Sequence, residues 1–230
     1  MKTKFGAIIV DGRGKIGGHV ASKNRAGSYM RTKVTPVKGR TTAQILSRSR
    51  LATLATAWGG AGLGDAGRLA WNNAVDLWKR TNVFGDLKSP SGFNLYQKLN
   101  NNLAQVGVAA LAAPPQPAAI TNWTTFSFVP DNSGTMVVTF AATPVPAGFA
   151  VLIDGTAPCS PGLTNANARF RRVTSLAAAI ATGTDIQAAY VLKFGSIAPV
   201  GDRIFLRATM INIATGQKGQ PVQATALIVA

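Results

Sequence analysis

The spacing of apolar positions changes twice along the chain, and the changes divide it into three stretches. Residues 1–40 show no sustained period: Gly and basic residues dominate, Thr35-Pro36 and Gly39 punctuate, and only Phe5–Val10 has the apolar run of a short strand. That grammar predicts an extended arm. Residues 41–111 follow helical spacing instead. Thr41 and Gln44 are placed as a capping box, and Ile45, Leu51, Leu54, Ala55 and Trp58 then lie along one broad face until Gly59-Gly60 stops the helix. A second helix is expected from Asp65 as N-cap, with Ala70, Ala74, Leu77 and Trp78 on one face. A third, capped by Ser91, carries Phe93, Tyr96, Leu99, Leu103 and Val106 at three- and four-residue steps before Gly107.

Residues 112–119, beginning Ala112-Ala113-Pro114-Pro115-Gln116-Pro117, read as a stiff Pro-rich linker. Beyond it the period becomes two. Strands are expected at Trp123–Val129, Thr135–Phe140, Phe149–Ile153, Ala168–Val173, Ile186–Phe194, Arg203–Asn212 and Val222–Val229, with Trp123, Phe126, Phe128, Phe140, Ile204 and Leu206 in the core. The alternation is clearest where Ile204, Leu206, Ala208 and Met210 share one face and Phe205, Arg207 and Thr209 the other. Short strands at this spacing predict a β-sandwich of immunoglobulin or fibronectin type over residues 120–230. The expected fold class is therefore α+β: an extended basic N-terminal arm (1–40), a small helical domain (41–111), the linker and a C-terminal sandwich.

Charge changes this picture more than composition does. The formal net charge is +16, all eight acidic residues are aspartates, and 17 Lys/Arg against four Asp fall within residues 1–110. Lys15, Lys23, Arg25, Arg31, Lys33, Lys38 and Arg40, continued by Arg48 and Arg50 on the first helix, form the densest run. Tyr29 and the polar Ser22, Asn24, Ser28 and Thr32 are interleaved with it. Such a segment can neutralise phosphates without reading sequence, or lie across an acidic groove of another subunit, or remain a solvated tail.

Candidate chemistry is sparse. Gly12-Arg13-Gly14-Lys15-Ile16-Gly17 matches the letters of a dinucleotide fingerprint, but no helical period follows and no acidic residue stands about 20 positions on to hold a ribose. His19 has no acidic neighbour to orient it, the closest being Asp11, and Cys159 lies between prolines with no local base. A single cysteine precludes an internal disulfide and suggests a reducing compartment, and one histidine leaves little for a metal site. The apolar run Ala7–Val10 is too short for a signal peptide, and no stretch reaches the roughly 18 residues of a membrane span. The expectation is a soluble, non-enzymatic protein without cofactor, metal or membrane association.

One resemblance adds to this reading. Gly17-Gly18-His19-Val20, Arg25-Ala26-Gly27-Ser28-Tyr29-Met30-Arg31, Arg40-Thr41-Thr42-Ala43-Gln44, Trp58 and Arg68-Leu69-Ala70-Trp71-Asn72 resemble a widespread, uncharacterised family of phage, prophage and Bacteroidetes proteins. In that family a G-G-x-V…R-x-G-x-Y-x-R arm leads to an R-T-x-x-Q helix and an R-x-x-W-N helix. The resemblance covers residues 12–110 and implies no catalytic residues. It implies a structural component of a bacteriophage virion, whether capsid-associated, head–tail connector or tail protein, assembled in the host cytoplasm. Its partners would be other virion proteins, further copies of itself and packaged nucleic acid. The alternative is a cytoplasmic, non-sequence-specific nucleic-acid-binding protein.

Overall fold

The structure is a computed structural model that describes residues 2–4, 12–34, 41–60, 62–120, 123, 125–141 and 145–230. It is an α+β protein with four α-helices and several antiparallel sheets among those residues. Two compact units divide the chain, residues 1–97 and 98–230, so the division falls inside the third helix, upstream of the Pro-rich segment.

The first unit opens with a three-stranded antiparallel meander: β1 (Gly14–Ile16), β2 (His19–Asn24) and β3 (Gly27–Thr32). The described part of the expected arm is thus paired rather than an isolated extended chain. Two of the glycines of this segment are turn residues. Gly17 (φ 55°) and Gly27 (φ 110°) adopt backbone conformations that L side chains rarely tolerate, and each lies at a reversal of the meander. The Asn24 side chain closes the second reversal by accepting from the Ala26 N–H at 2.9 Å. The expected strand at Phe5–Val10 lies outside the described residues.

Helix α1 (Thr42–Gly59) begins at the expected capping box, with Thr41 and Gln44 each accepting from the other's backbone, and Gly60 is its C-cap. Its expected apolar face is not the buried one. Leu54 is buried and Trp58 half-buried, but Ile45, Leu46 and Leu51 are 53, 56 and 43 % exposed. Apolar residues point in several directions from this helix, and only its C-terminal half packs within the unit. Helix α2 (Gly64–Asn73) starts after Leu63 rather than at Asp65, which lies in the first turn, favourable to the helix dipole, and pairs with Arg68. After Asn73 the chain tightens into a 3-10 turn, Ala74–Trp78. Three residues per turn aligns Val75 with Trp78, so these two join Trp71 in the interior and Leu77 faces solvent, contrary to the expected stripe. A hairpin, β4 (Arg80–Thr81) and β5 (Leu87–Lys88), precedes α3 (Gly92–Gln105), whose start Ser91 caps by accepting from the Asn94 N–H.

The second unit contains β6 (Thr125–Asp131), β7 (Thr135–Ala141), β8 (Phe149–Gly155), β9 (Arg171–Leu176), β10 (Thr184–Asp185), α4 (Gln187–Phe194), β11 (Arg203–Asn212) and β12 (Val222–Leu227). The strands form two antiparallel sheets, ordered β10-β7-β6 and β12-β11-β8-β9. Trp123, Phe126, Phe128, Phe140, Ile204 and Leu206 all lie in one core cluster fed by both sheets, and Ile204, Leu206, Ala208 and Met210 alternate into it as their period requires. Phe205, on the other face of β11, is buried in a small second cluster with Ala166 and Phe170.

One expected strand is a helix. Ile186–Phe194 folds as α4, preceded by the two-residue β10. The Asp185 carboxylate accepts the Gln187 N–H at 2.9 Å and the Met136 N–H at 2.8 Å, fixing the helix start against β7. Ala188-Ala189 favour helix, and Gly195 (φ 94°) ends it.

Candidate functional site: a basic meander and a lysine cleft

Residues 12–34 contain six Lys/Arg and no acidic residue. Register determines how the meander displays them. Lys15, Val20 and Arg31 face one another across β1, β2 and β3, and Ser22 opposite Tyr29 forms the next row on the same face. Two strand spacings separate Lys15 from Arg31, about 9–10 Å. Lys2 bridges to Tyr29 along the outer edge of β3. The opposite face carries His19, Lys23, Met30 and the buried Ala21. Arg25 sits in the β2–β3 reversal and Lys33 just past β3, its N–H bonded to the Gly18 carbonyl at 2.8 Å. The expected binding residues Lys15, Lys23, Arg25, Tyr29, Arg31 and Lys33 are therefore brought together on one small sheet. Arg48 and Arg50 lie on α1, where the Arg50 Nε donates to the Leu46 carbonyl. Lys38 and Arg40 lie outside the described residues.

Sequence reasoning missed a second basic feature of this unit. A cleft of about 240 Å³ between the meander and the β4–β5 hairpin is lined by Lys2, Thr3, Lys4, Lys23, Lys88 and Asp86, together with Asn82, Phe84 and the Ala26–Ser28 backbone region. The Lys4 ammonium pairs with Asp86 at 3.2 Å and stands over the Phe84 ring at 5.4 Å. Hydrogen bonds from Asn82 and then Lys4 hold the Asp86 carboxyl below the usual carboxylate range. Asn82 organises the hairpin by accepting from the Phe84 and Asp86 N–H groups, and Gly85 (φ 83°) completes the turn. The signal available in the sequence was Asn82 with Gly85-Asp86 between short polar segments. It predicts a turn, but not that the turn meets the chain start.

The motif residues of the helices make contacts within the unit. The Arg68 Nη1 donates to the Trp58 carbonyl at 3.0 Å, closing the end of α1, and Trp71 is fully buried, its ring edge-on to Tyr96 at 5.3 Å. Asn72 abuts Gly92, where a Cβ would collide with it. Trp58 completes the cluster at 5.6 Å from Phe93 and 5.5 Å from Tyr96.

The letters of the dinucleotide fingerprint fall on β1 and its turn into β2, with a strand where a phosphate-binding helix would have to begin. His19 is exposed on β2 opposite Thr32. Cys159 is buried, its thiol donating to the Ala157 carbonyl and accepting from Arg169 at 3.6 Å. Among the described residues no group of three His, Cys, Asp or Glu is placed to hold a metal ion, and no helix is long and apolar enough to cross a membrane. Comparison with protein-family models, curated proteins and solved structures finds no match to this chain.

Proposed function

We propose that this protein is a structural component of a bacteriophage virion that works by contact rather than by catalysis. In this reading its basic N-terminal unit engages packaged nucleic acid and acidic surfaces of neighbouring subunits, other copies of itself included. The observation that carries the reading is the meander: a segment with six cations and no acid, presented on paired strands in rows such as Lys15–Val20–Arg31. A fixed sheet loses less side-chain and backbone freedom on binding than a tail does, so its cations bind a polyanion at lower entropic cost. The phage assignment is supported by the motifs of residues 17–72 and by no other feature. The C-terminal unit is read as an immunoglobulin- or fibronectin-like sandwich, since its two sheets share one apolar core. It would serve as a docking surface, and many copies per particle would make weak contacts additive.

The row of Ser22 and Tyr29 beside the cations also suits a phosphodiester backbone, because hydroxyls can bond phosphate oxygens and an aromatic ring can stack on a base. That favours, as a second reading, a cytoplasmic nucleic-acid-binding protein without sequence preference. Quantitative mass spectrometry of purified particles decides between them. Wild-type protein should be present at fixed copy number, and the variant Lys15→Gln/Arg25→Gln/Arg31→Gln/Lys33→Gln should fold but fail to incorporate. Incorporation of that variant at wild-type copy number would remove the role assigned to the meander, and absence of the wild-type protein from particles would leave the second reading.

A further inference from the structure

We propose that copies of this chain join head to tail, with helix α1 of one copy docked on the outer face of the β10-β7-β6 sheet of the next. This deepens the contact between copies in the proposed function, and rests on that reading, by naming the two surfaces that meet.

Helix α1 is 18 residues long, yet it buries only Leu54 and leaves Ile45, Leu46 and Leu51 exposed. An isolated helix of that length is marginal in water, so its exposed N-terminal half gains stability from a cover. Its only charged residues are Arg48 and Arg50. Pairing α1 with α1 of a second copy would set arginines against arginines with no carboxylate between them, which disfavours that arrangement.

The second unit carries a surface of the opposite character. Along β6 and β7 the side chains alternate, and Thr125, Ser127, Val129 and Thr139 are exposed on the face turned from the core. Register builds one row across that face, Asp185–Val137–Val129, from β10 through β7 to β6. Asp131 follows Val129 on the same face, and its bridge to Val229 sets those two side by side. Val129 is 56 % and Val229 44 % exposed, so the face has an apolar centre between two carboxylates. Strands β6, β7, β10 and β12 carry no Lys or Arg. Arg203, opposite Leu227 in register, is turned to the Leu163 carbonyl at 3.1 Å.

Charge decides the occupant. The ion pairs among the described residues engage Asp65, Asp76, Asp86 and Asp154, but neither Asp131 nor Asp185. The first is bonded to Ser133, and the second accepts the Met136 and Gln187 N–H groups. A face with carboxylates and no cations repels nucleic acid, whereas an apolar helix bearing arginines complements both its centre and its ends. A helix laid on a sheet is an ordinary packing of layers. Such a helix, about 27 Å long and 10 Å across, covers on the order of 300 Å². That is well below the roughly 800 Å² per partner of a standard interface, so each contact is weak and gains from many copies. Because the two surfaces differ, every copy offers one of each, and the contact propagates into a ring or an open chain.

Sedimentation velocity of the full chain, freed of nucleic acid and run from about 1 to about 200 μM in about 0.15 M salt, tests this. The sedimentation coefficient should rise with concentration, and less steeply in about 0.5 M salt, which screens the Arg–Asp attraction. Ile45→Gln/Leu46→Gln on the helix, or Val129→Lys on the sheet, should each weaken self-association at least about tenfold. The two variants mixed in equal amounts should form a dimer and nothing larger, because one keeps an intact sheet face and the other an intact helix. These positions are exposed, so melting temperatures should stay near that of the wild type; should Val129→Lys fail to fold, Val229→Lys takes its place. A wild type that stays monomeric throughout, variants that associate as it does, or a mixture that stays monomeric would each overturn the proposal. Lys15→Gln/Arg25→Gln/Arg31→Gln/Lys33→Gln should self-associate normally. If that variant loses association while the helix variant keeps it, the contact belongs to the meander: this proposal ends and the proposed function stands. Entry of the meander variant into particles at wild-type copy number removes the role of the meander whatever α1 does, so the two readings can fail separately.

Discussion

The side chain of Asn102, buried on α3, donates from Nδ2 to the carbonyl of Gly216 at 2.8 Å. Gly216 follows β11 in a turn that the Asn212 side chain closes by accepting from the Ala214 and Thr215 N–H groups. Its φ is 71°, and a Cβ there would run into the Leu99 carbonyl. The C-terminal half of α3 is therefore a working part of the second unit, held by a glycine that allows close approach and an amide that uses it.

Two substitutions separate these effects. Asn102→Ala leaves a buried carbonyl without its donor and should cost about 1–3 kcal/mol. Gly216→Ala adds left-handed strain to a backbone collision and should cost about 3 kcal/mol or more. Urea unfolding of the full chain measures both. A Gly216→Ala protein as stable as wild type would show that the turn moves freely away from α3.

Asp154 on β8 stands between two arginines in one cross-strand row. Its carboxylate accepts from the Arg172 Nε at 2.6 Å and the Arg207 Nη2 at 3.2 Å, and the Arg207 guanidinium lies 4.4 Å from the Phe170 ring centre. Arg172 also donates to Gln105 at 3.2 Å. The aspartate side chain is only 14 % exposed, but both arginines are about a third exposed and screened accordingly. Asp154→Asn should destabilise by about 1–2 kcal/mol, less at high salt. A double-mutant cycle with Arg207→Met should show coupling, and additive losses would mean that the row contributes no pairwise energy.

Arg68 tests whether the R-x-x-W-N motif is structural. Arg68→Gln removes the guanidinium contacts to the Trp58 carbonyl and to Asp65. The loss should be about 1–2 kcal/mol and should appear as a changed tryptophan fluorescence and faster hydrogen exchange at the end of α1. Anion binding by the meander should be unaffected. A variant with wild-type exchange but weakened DNA binding would instead make Arg68 part of an interface.

How much of this was legible in the sequence depends on whether one pattern or two fitted it. The capping box and the alternation of β11 were unambiguous, because Thr41 with Gln44 and Ile204 through Met210 each match a single geometry. Ile186, Tyr190 and Phe194 are four apart, a spacing that suits a strand face and a helix face equally, and the alanines between them decided for α4. In the N-terminal segment, glycines that turn the meander read as part of an extended arm because composition does not reveal φ. The cations of the meander were visible as a run, and their rows required register. The lysine cleft was not legible, since it joins Lys2 and Lys4 to Lys88 through contacts distant in sequence.

Tyr190 makes the final prediction. Its ring is fully buried, and its hydroxyl donates to the Thr156 carbonyl at 2.8 Å. Thr156 in turn bonds Phe205 through both its backbone and its side chain, so the phenol anchors α4 to the start of β11. Burial, and secondarily the nearby Cys159, raise the phenol far above its ordinary value of 10.0. The folded state therefore keeps the proton to higher pH than the unfolded state does. The stabilisation is fully present below pH 10 and declines above it, where the unfolded chain ionises first, with a slope of at most about 1.4 kcal/mol per pH unit for this one group. Tyr190→Phe should cost about 1 kcal/mol at neutral pH, because the Thr156 carbonyl loses its donor. Above pH 10 the variant should lose stability less steeply than the wild type, so that the two denaturation midpoints converge. Parallel midpoints from pH 8 to pH 11 would mean that the phenol ionises as readily in the folded chain as in the unfolded one, and that its bond to Thr156 does not hold α4 in place.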